Sequence, residues 1–220
     1  MNATQRGVLI GMLWGDGCIK HKTHACLDGS VSHYYEFVAG HSSKQEQYIT
    51  YKRDIFHSLI GGKKPLIHRR KFFLNGVEHE ELRFGRQDKY FSTLYHWVYP
   101  FGKKTYTRRI LDYVNAAGLS FWYMDDGGIS KSKRPDGSIS SCEMRLATYC
   151  PEDQADIIIS YFKEVWNLVA KKRHHKKTNS WYIVFNTTES KKLEEIIRPF
   201  MHDSMLYKLP SNWITRVQST

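Results

Sequence analysis

Long apolar runs are missing from this chain. Nowhere do the ~18 to 20 consecutive apolar residues of a membrane span occur, and the opening segment MNATQRGVLIGMLWGDG carries only a short apolar stretch that ends in an aspartate. The expectation is a protein with no membrane partner, no secretion signal and no transit peptide, working in an intracellular setting. A disulfide framework is lacking too. The four cysteines, Cys18, Cys26, Cys142 and Cys150, fall in two Cys-x7-Cys pairs, a spacing that suits neither a zinc ribbon nor a redox pair. His21 and His24 lie between the first two, but without a Cys-x2-Cys arrangement they make a weak case for zinc. No GxxxxGK(S/T) loop is present, which argues against a phosphotransferase built on one.

Acidic charge is the remaining shortage. Against 33 Lys and Arg stand 22 Asp and Glu, a formal net charge of +11. A surplus of that size favours a polyanionic partner, because each neutralised phosphate releases condensed counterions. The charge is also clustered, in KHKTH (Lys20 to His24), GGKKPLIHRRK (Gly61 to Lys71) and KKRHHKK (Lys171 to Lys177). With 220 residues, 41% apolar and 25% charged, the chain can bury a real core in one large domain or two smaller halves.

An internal repeat decides between these. Adding 110 to the early residue numbers brings Leu9 onto Leu119, Gly15-Asp16-Gly17 onto Asp125-Asp126-Gly127 and Ile19 onto Ile129. A gap-free continuation places Glu46 on Asp156, Ile49 on Ile159, Phe56 on Trp166 and Lys63 on Arg173. Later, Pro100-Phe101 finds a counterpart in Pro199-Phe200, and a lysine follows each, Lys104 and Lys208. The chain reads as two similar halves, 1–112 and 113–220. Each opens with an apolar helix, roughly 5–15 and 113–125, stopped by a glycine. Extended segments follow, 32–40 and 80–86 in the first half, 142–149 and 181–186 in the second, with an amphipathic helix between them. LNGV at 74–77 and RPDG at 134–137 are hairpin turn signals. The order αββαββα in each half predicts an α+β fold with antiparallel sheets.

The acids close the two apolar helices. A helix C-terminus carries a partial negative charge and unpaired carbonyls, so a carboxylate there calls for a cation. Two such ends brought together by a two-fold repeat would form a hard oxygen cluster, for which magnesium is the natural occupant. Beside a polyanion, such a site suits phosphodiester hydrolysis, with the two lysines lending positive charge.

The residues that carry these features resemble the LAGLIDADG family of homing endonucleases. LIGMLWGDG (Leu9 to Gly17) and LSFWYMDDG (Leu119 to Gly127) are similar to its two signature helices, with departures at Trp14, Phe121 and Met124. WYMDDGG, LATYCPEDQ and MLYKLP resemble pieces of the two-motif, single-chain members encoded in group I introns. The likeness runs from about Gly7 to about Trp213. It implies catalytic, metal-binding acids at Asp16 and Asp126, metal-binding carbonyls at Gly15 and Asp125, and active-site lysines at Lys104 and Lys208, with Lys103 a neighbouring candidate. His41 falls near a water-organising position. The implied cofactor is magnesium, with manganese as a substitute. The implied architecture is two halves related by a pseudo-two-fold axis, the signature helices at their interface and the sheets forming a saddle on double-stranded DNA. Lys20, Lys22, Arg69, Arg83, Arg86, Lys131, Lys133, Arg145 and Lys176 are the expected DNA contacts. The activity implied is cleavage of both strands by a monomer at a long asymmetric site, leaving 3′ overhangs, in intron or intein homing. Two readings stay open beside it: a maturase that helps host intron RNA fold, and a DNA-binding regulator that does not cleave.

Overall fold

Asn2 starts the first helix. Its side chain accepts from the Gln5 amide and the Gln5 side chain accepts from the Asn2 amide, each at 2.9 Å, so two amides that a helix start leaves unpaired are satisfied. The computed structural model describes residues 1 to 214. In chain order it holds α1 (Ala3–Trp14), β1 (Cys18–Ala25), β2 (Val31–Ser42), α2 (Glu46–Ile60), β3 (His68–Leu74), β4 (Val77–Gln87), α3 (Tyr90–Val98) and α4 (Arg108–Leu111). There follow α5 (Ala116–Asp126), β5 (Gly127–Lys133), β6 (Ile139–Cys150), α6 (Glu152–Trp166), β7 (Ala170–His175), β8 (Ser180–Phe185), α7 (Thr187–Ile197) and α8 (Ser211–Ile214). The second apolar helix begins later than the expected residue 113, because Asn115 caps it by accepting from the Gly118 amide at 2.8 Å.

The strands form two four-stranded antiparallel sheets, in the orders β1-β2-β4-β3 and β5-β6-β8-β7. The protein is therefore α+β with two similar halves. Both turn signals lie where hairpins close. Asn75 and Gly76 take φ of 51° and 78°, the positive values that a two-residue hairpin turn requires. In RPDG, the Arg134 amide donates to the Ser138 carbonyl at 2.8 Å.

The repeat is not gap-free. Glu46 opens α2 and Glu152, not Asp156, opens α6, and the helices run to equal length. Phe56 has Phe162 as its counterpart rather than Trp166: Phe56 stacks on Phe37 of β2 at 4.6 Å, and Phe162 meets Phe185 of β8 at 4.9 Å. The register is lost in the β5–β6 hairpin, which is shorter than β1–β2 and bulged near Lys133, and again where a 3-10 turn, Ser43–Gln45, precedes α2 but only Pro151 precedes α6.

The chain divides into two compact units. One is Met1 with Asp16–Lys104; the other is Asn2–Gly15 with the chain from Thr105 onward. Residues 215–220, the end of the second expected half, lie outside the described residues. In the first unit, Phe37, Phe56, Phe84 and Phe91 form one fully buried cluster between the sheet and α2 and α3. Each ring withdrawn from water contributes about 1.5–3 kcal/mol. In the second unit, α1 packs against α5, and Trp14, Tyr106 and Trp122 stack in series, at 4.3 Å and 5.6 Å, ahead of Phe162.

Glycine governs the α1–α5 contact. A Cβ on Gly11 would lie 1.9 Å from the Gly118 carbonyl oxygen, and one on Gly118 would lie 2.2 Å from that of Gly7. The helices thus touch backbone to backbone. Gly11→Ala should lower stability by about 1–3 kcal/mol, because overpacking against a carbonyl outweighs the ~1 kcal/mol that alanine gains in helix propensity. Urea unfolding checks this, and an unchanged midpoint would deny the close contact.

Candidate metal and nucleic-acid site

The helix-to-helix contact carries through to the C-terminal ends. A Cβ on Gly15 would lie 2.1 Å from Oδ2 of Asp125. Gly15 has no side chain because the Asp125 carboxylate occupies that place, and this carboxylate sits at the junction of the helix ends rather than at the periphery. Asp126, one residue on, borders an open concavity of about 350 Å3 with Gly127, Gly128, Arg145, Ala147, Tyr149, His175 and Tyr182. Its charge also bears on Tyr106: burial first, then the Asp126 carboxylate, pushes the Tyr106 hydroxyl well above its usual range.

Lys208 ends a 3-10 segment, Asp203–Lys208, and its Nζ donates to the carbonyls of Met124 at 2.6 Å and Asp125 at 3.0 Å. A cation thereby satisfies carbonyls that the α5 terminus leaves unpaired and opposes the negative end of its dipole. Tyr123 Oη holds the same segment, 2.9 Å from the Lys208 carbonyl and 3.1 Å from that of Gly128. In the first unit Lys104 does the matching work, donating to the Gly17 carbonyl at 3.1 Å. Lys103 is exposed, while Lys104 is half-buried. Asp16 lies 3.3 Å from Nδ1 of His41, a buried ring at the end of β2. Tyr99 Oη accepts from the Ile19 amide at 3.3 Å and anchors the strand that leaves Asp16.

Each helix end offers donors that suit a divalent cation: in the first unit the Asp16 carboxylate, just past α1, and in the second the Asp125 and Asp126 carboxylates at the end of α5, where carbonyl oxygens are in excess. Hard oxygen donors of this kind suit magnesium or calcium rather than a thiophilic metal.

Strand register sorts the expected DNA contacts. Ile19, Phe37, Leu82 and Phe84 face α2 and α3, so Lys20, Lys22 and Arg83 lie on the opposite, uncovered face of the first sheet. Arg69 and Arg86 do not. Arg69 is paired with Leu82 and Arg86 with Phe37, which turns both toward the helices. Arg69 bridges Glu80 at 2.6 Å and Glu46 of α2 at 3.3 Å. Arg86 donates to the carbonyls of Gly61 and Lys63 behind α2. In the second sheet, Arg145 pairs with Gly128 and Val184 on the uncovered face. Lys131 pairs with buried Cys142 on the helix side, its Nζ 2.9 Å from the centroid of the Trp213 ring. Lys133 and Lys176 are exposed at a strand end and in the β7–β8 turn. Register also places on the uncovered faces residues that were not among those expected contacts: Arg70 in the first sheet, and Lys171, Arg173 and Tyr182 in the second.

A family model described as the LAGLIDADG DNA endonuclease family matches residues 6–193. The chain belongs to that family. It is 22% identical over 222 residues to the DNA endonuclease I-ChuI of Chlamydomonas applanata, covering 93% of this chain and 94% of that protein. It is 26% identical over 207 residues to a protein named RecA from Mycolicibacterium chitae; there it covers 92% of this chain but spans only 45% of the relative's length. The fold is shared with the homing endonuclease I-WcaI bound to its DNA recognition sequence, at a TM-score of 0.74 and 22% identity, over 94% of this chain and 86% of that one. Among the described residues no helix is long and apolar enough to cross a membrane.

Burial raises the hydroxyls of Tyr99, to about 12, and of Tyr106, Tyr123 and Tyr161 from the ordinary 10.0. A group whose folded pKa is raised stabilises the fold fully below its unfolded pKa and loses that contribution as pH rises toward the folded one. Stability should therefore begin to fall at pH 10 and be lost toward pH 12, with tyrosinate absorbance and loss of helix appearing together. Smooth tyrosinate titration of a still-folded protein across that range would contradict it.

Proposed function

We propose that this protein is a magnesium-dependent, site-specific endonuclease that cuts both strands of duplex DNA at a long asymmetric site and leaves 3′ overhangs. It acts as an intracellular monomer, since one chain carries both signature helices. The observation that supports this most is the matched pair of helix ends. Each closes on an acid, Asp16 or Asp126, and at each a lysine, Lys104 or Lys208, donates to the carbonyls just beyond or within the last turn. A maturase or non-cleaving regulator has no need of both acids and both lysines in those places.

Asp16 and Asp126 are assigned as metal ligands, with the carbonyls of Gly15 and Asp125 contributing. The bound divalent cation supplies polarisation of the phosphodiester, a more acidic water and stabilisation of the leaving oxygen. The remaining work falls to the chain. His41 orients the Asp16 carboxylate. Lys104 and Lys208 keep positive charge beside the reacting phosphates, where excess negative charge develops. On the uncovered sheet faces, Lys20, Lys22, Arg83 and Arg145 hold phosphates and read bases, with Tyr182 and Arg173 beside them. The two faces carry different side chains, which supports an asymmetric site.

Asp16→Asn and Asp126→Asn should each abolish double-strand cleavage in magnesium while leaving DNA affinity within a few-fold, measured by product gels and binding titration; full cleavage by both variants would remove the assignment. The sheet faces give a second test. Arg83→Ala should weaken DNA binding and reduce its salt dependence, whereas Arg86→Ala should lower thermal stability with little change in the salt slope. The reverse pattern would mean that the register-based assignment of faces is wrong.

A further inference from the structure

Lys52 is an unusual lysine. It lies midway along α2, on the face that packs against the sheet, and is fully buried. Lysine is among the residues least often found so deep, since a buried ammonium must be paired. Its Nζ is 3.4 Å from Nε2 of His41 and 5.8 Å from the centroid of the Tyr48 ring. The Tyr48 ring also meets the His41 ring edge-on at 4.9 Å. On the far side of that imidazole, Nδ1 is 3.3 Å from Oδ2 of Asp16. The buried lysine, the buried histidine and the half-exposed acid thus form one chain that ends at the proposed metal ligand.

We propose that Lys52 is a positioning residue for Asp16, acting through His41. A lysine ammonium donates and cannot accept, so Nε2 of His41 must be the accepting nitrogen and the ring proton must sit on Nδ1. That tautomer donates to Oδ2 of Asp16 and fixes the carboxylate's rotation. Tyr48 closes the remaining side and holds both groups in place.

The device belongs to the first unit. At the same step of α6 stands Ile158, fully buried, and near the end of β6 stands Thr148, whose hydroxyl donates to the Trp181 carbonyl at 3.0 Å. A lysine–histidine chain of this kind has no residues to build it there. The inference rests on the endonuclease reading, in which each half serves one strand, and it predicts an asymmetry within that reading. Weakening the Lys52–His41 bond should slow one strand's cut and spare the other.

The test is cleavage of end-labelled duplex and supercoiled plasmid, with the rate of each strand's cut measured separately in magnesium. Lys52→Met should slow one strand by ~10- to 100-fold relative to the other, the size usual for losing an outer-shell partner of a metal ligand, and nicked plasmid should accumulate. Lys52→Gln, which retains a donor, should restore part of the balance. A loss of folded protein alone lowers both rates together and leaves their ratio unchanged, as Ile49→Val, a packing change in the same helix, should show. His41→Phe should reproduce the imbalance, and adding Lys52→Met to it should change the ratio no further. Equal slowing of both strands by Lys52→Met, or an imbalance that persists undiminished on the His41→Phe background, would overturn the proposal. If Lys52→Met yields no folded protein, the ratio for Lys52→Gln decides in the same way. Should the unaltered protein cut neither strand, the endonuclease reading fails instead, and the two failures are told apart.

Discussion

The structure depends on two helices approaching until their backbones touch. Gly7, Gly11 and Gly118 make that approach possible, since a single methyl group at any of them would run into a carbonyl of the facing segment. Dispersion and desolvation reward close contact, but only where no side chain intervenes. The same constraint reaches the C-terminal ends, where Gly15 yields its side-chain space to Asp125. The difference between Gly-Asp-Gly in one motif and Asp-Asp-Gly in the other is thus a packing requirement: two carboxylates cannot fill one gap.

Bringing negative helix ends together with carboxylates is electrostatically unfavourable, and the chain offsets it with lysines drawn from far along the sequence. Lys104 and Lys208 reach back to carbonyls beside the acids they follow by more than eighty residues. Each favourable charge–dipole contact contributes about 0.3–1 kcal/mol, more where partly buried. In the proposed reaction the same cations also oppose the negative charge that hydrolysis builds, so that stability and assistance to the reaction would draw on one pair of groups.

Much of this was legible in the sequence. The glycine that ends each apolar helix, the acid before it and the recurrent lysine are local signals, and repetition separated them from ordinary turns. Side-chain direction was less accessible. Arg69, Arg86 and Lys131 are basic residues on strands, but a strand reverses direction at every residue, so composition does not reveal which face each one takes. Arg69 and Arg86 turn toward α2 and the segment that follows it, not toward the uncovered face where Lys20, Lys22 and Arg83 lie. Lys52 was hidden for a related reason. In an amphipathic helix a single lysine reads as surface, and only the tertiary position of His41 shows why it is inside. The helix register between α2 and α6 was misread because a shortened hairpin and a missing turn shift it, and apolar periodicity tolerates such shifts.

The measurement that bears most directly on the account is a cleavage selection from a random duplex DNA library in magnesium, with the ends of the cut molecules sequenced. Recovery of one long, asymmetric consensus cut on both strands with 3′ overhangs, dependent on magnesium, is the result predicted. Sequences retained by the protein but never cut, in magnesium or manganese, would contradict it and leave a DNA-binding protein without the reaction.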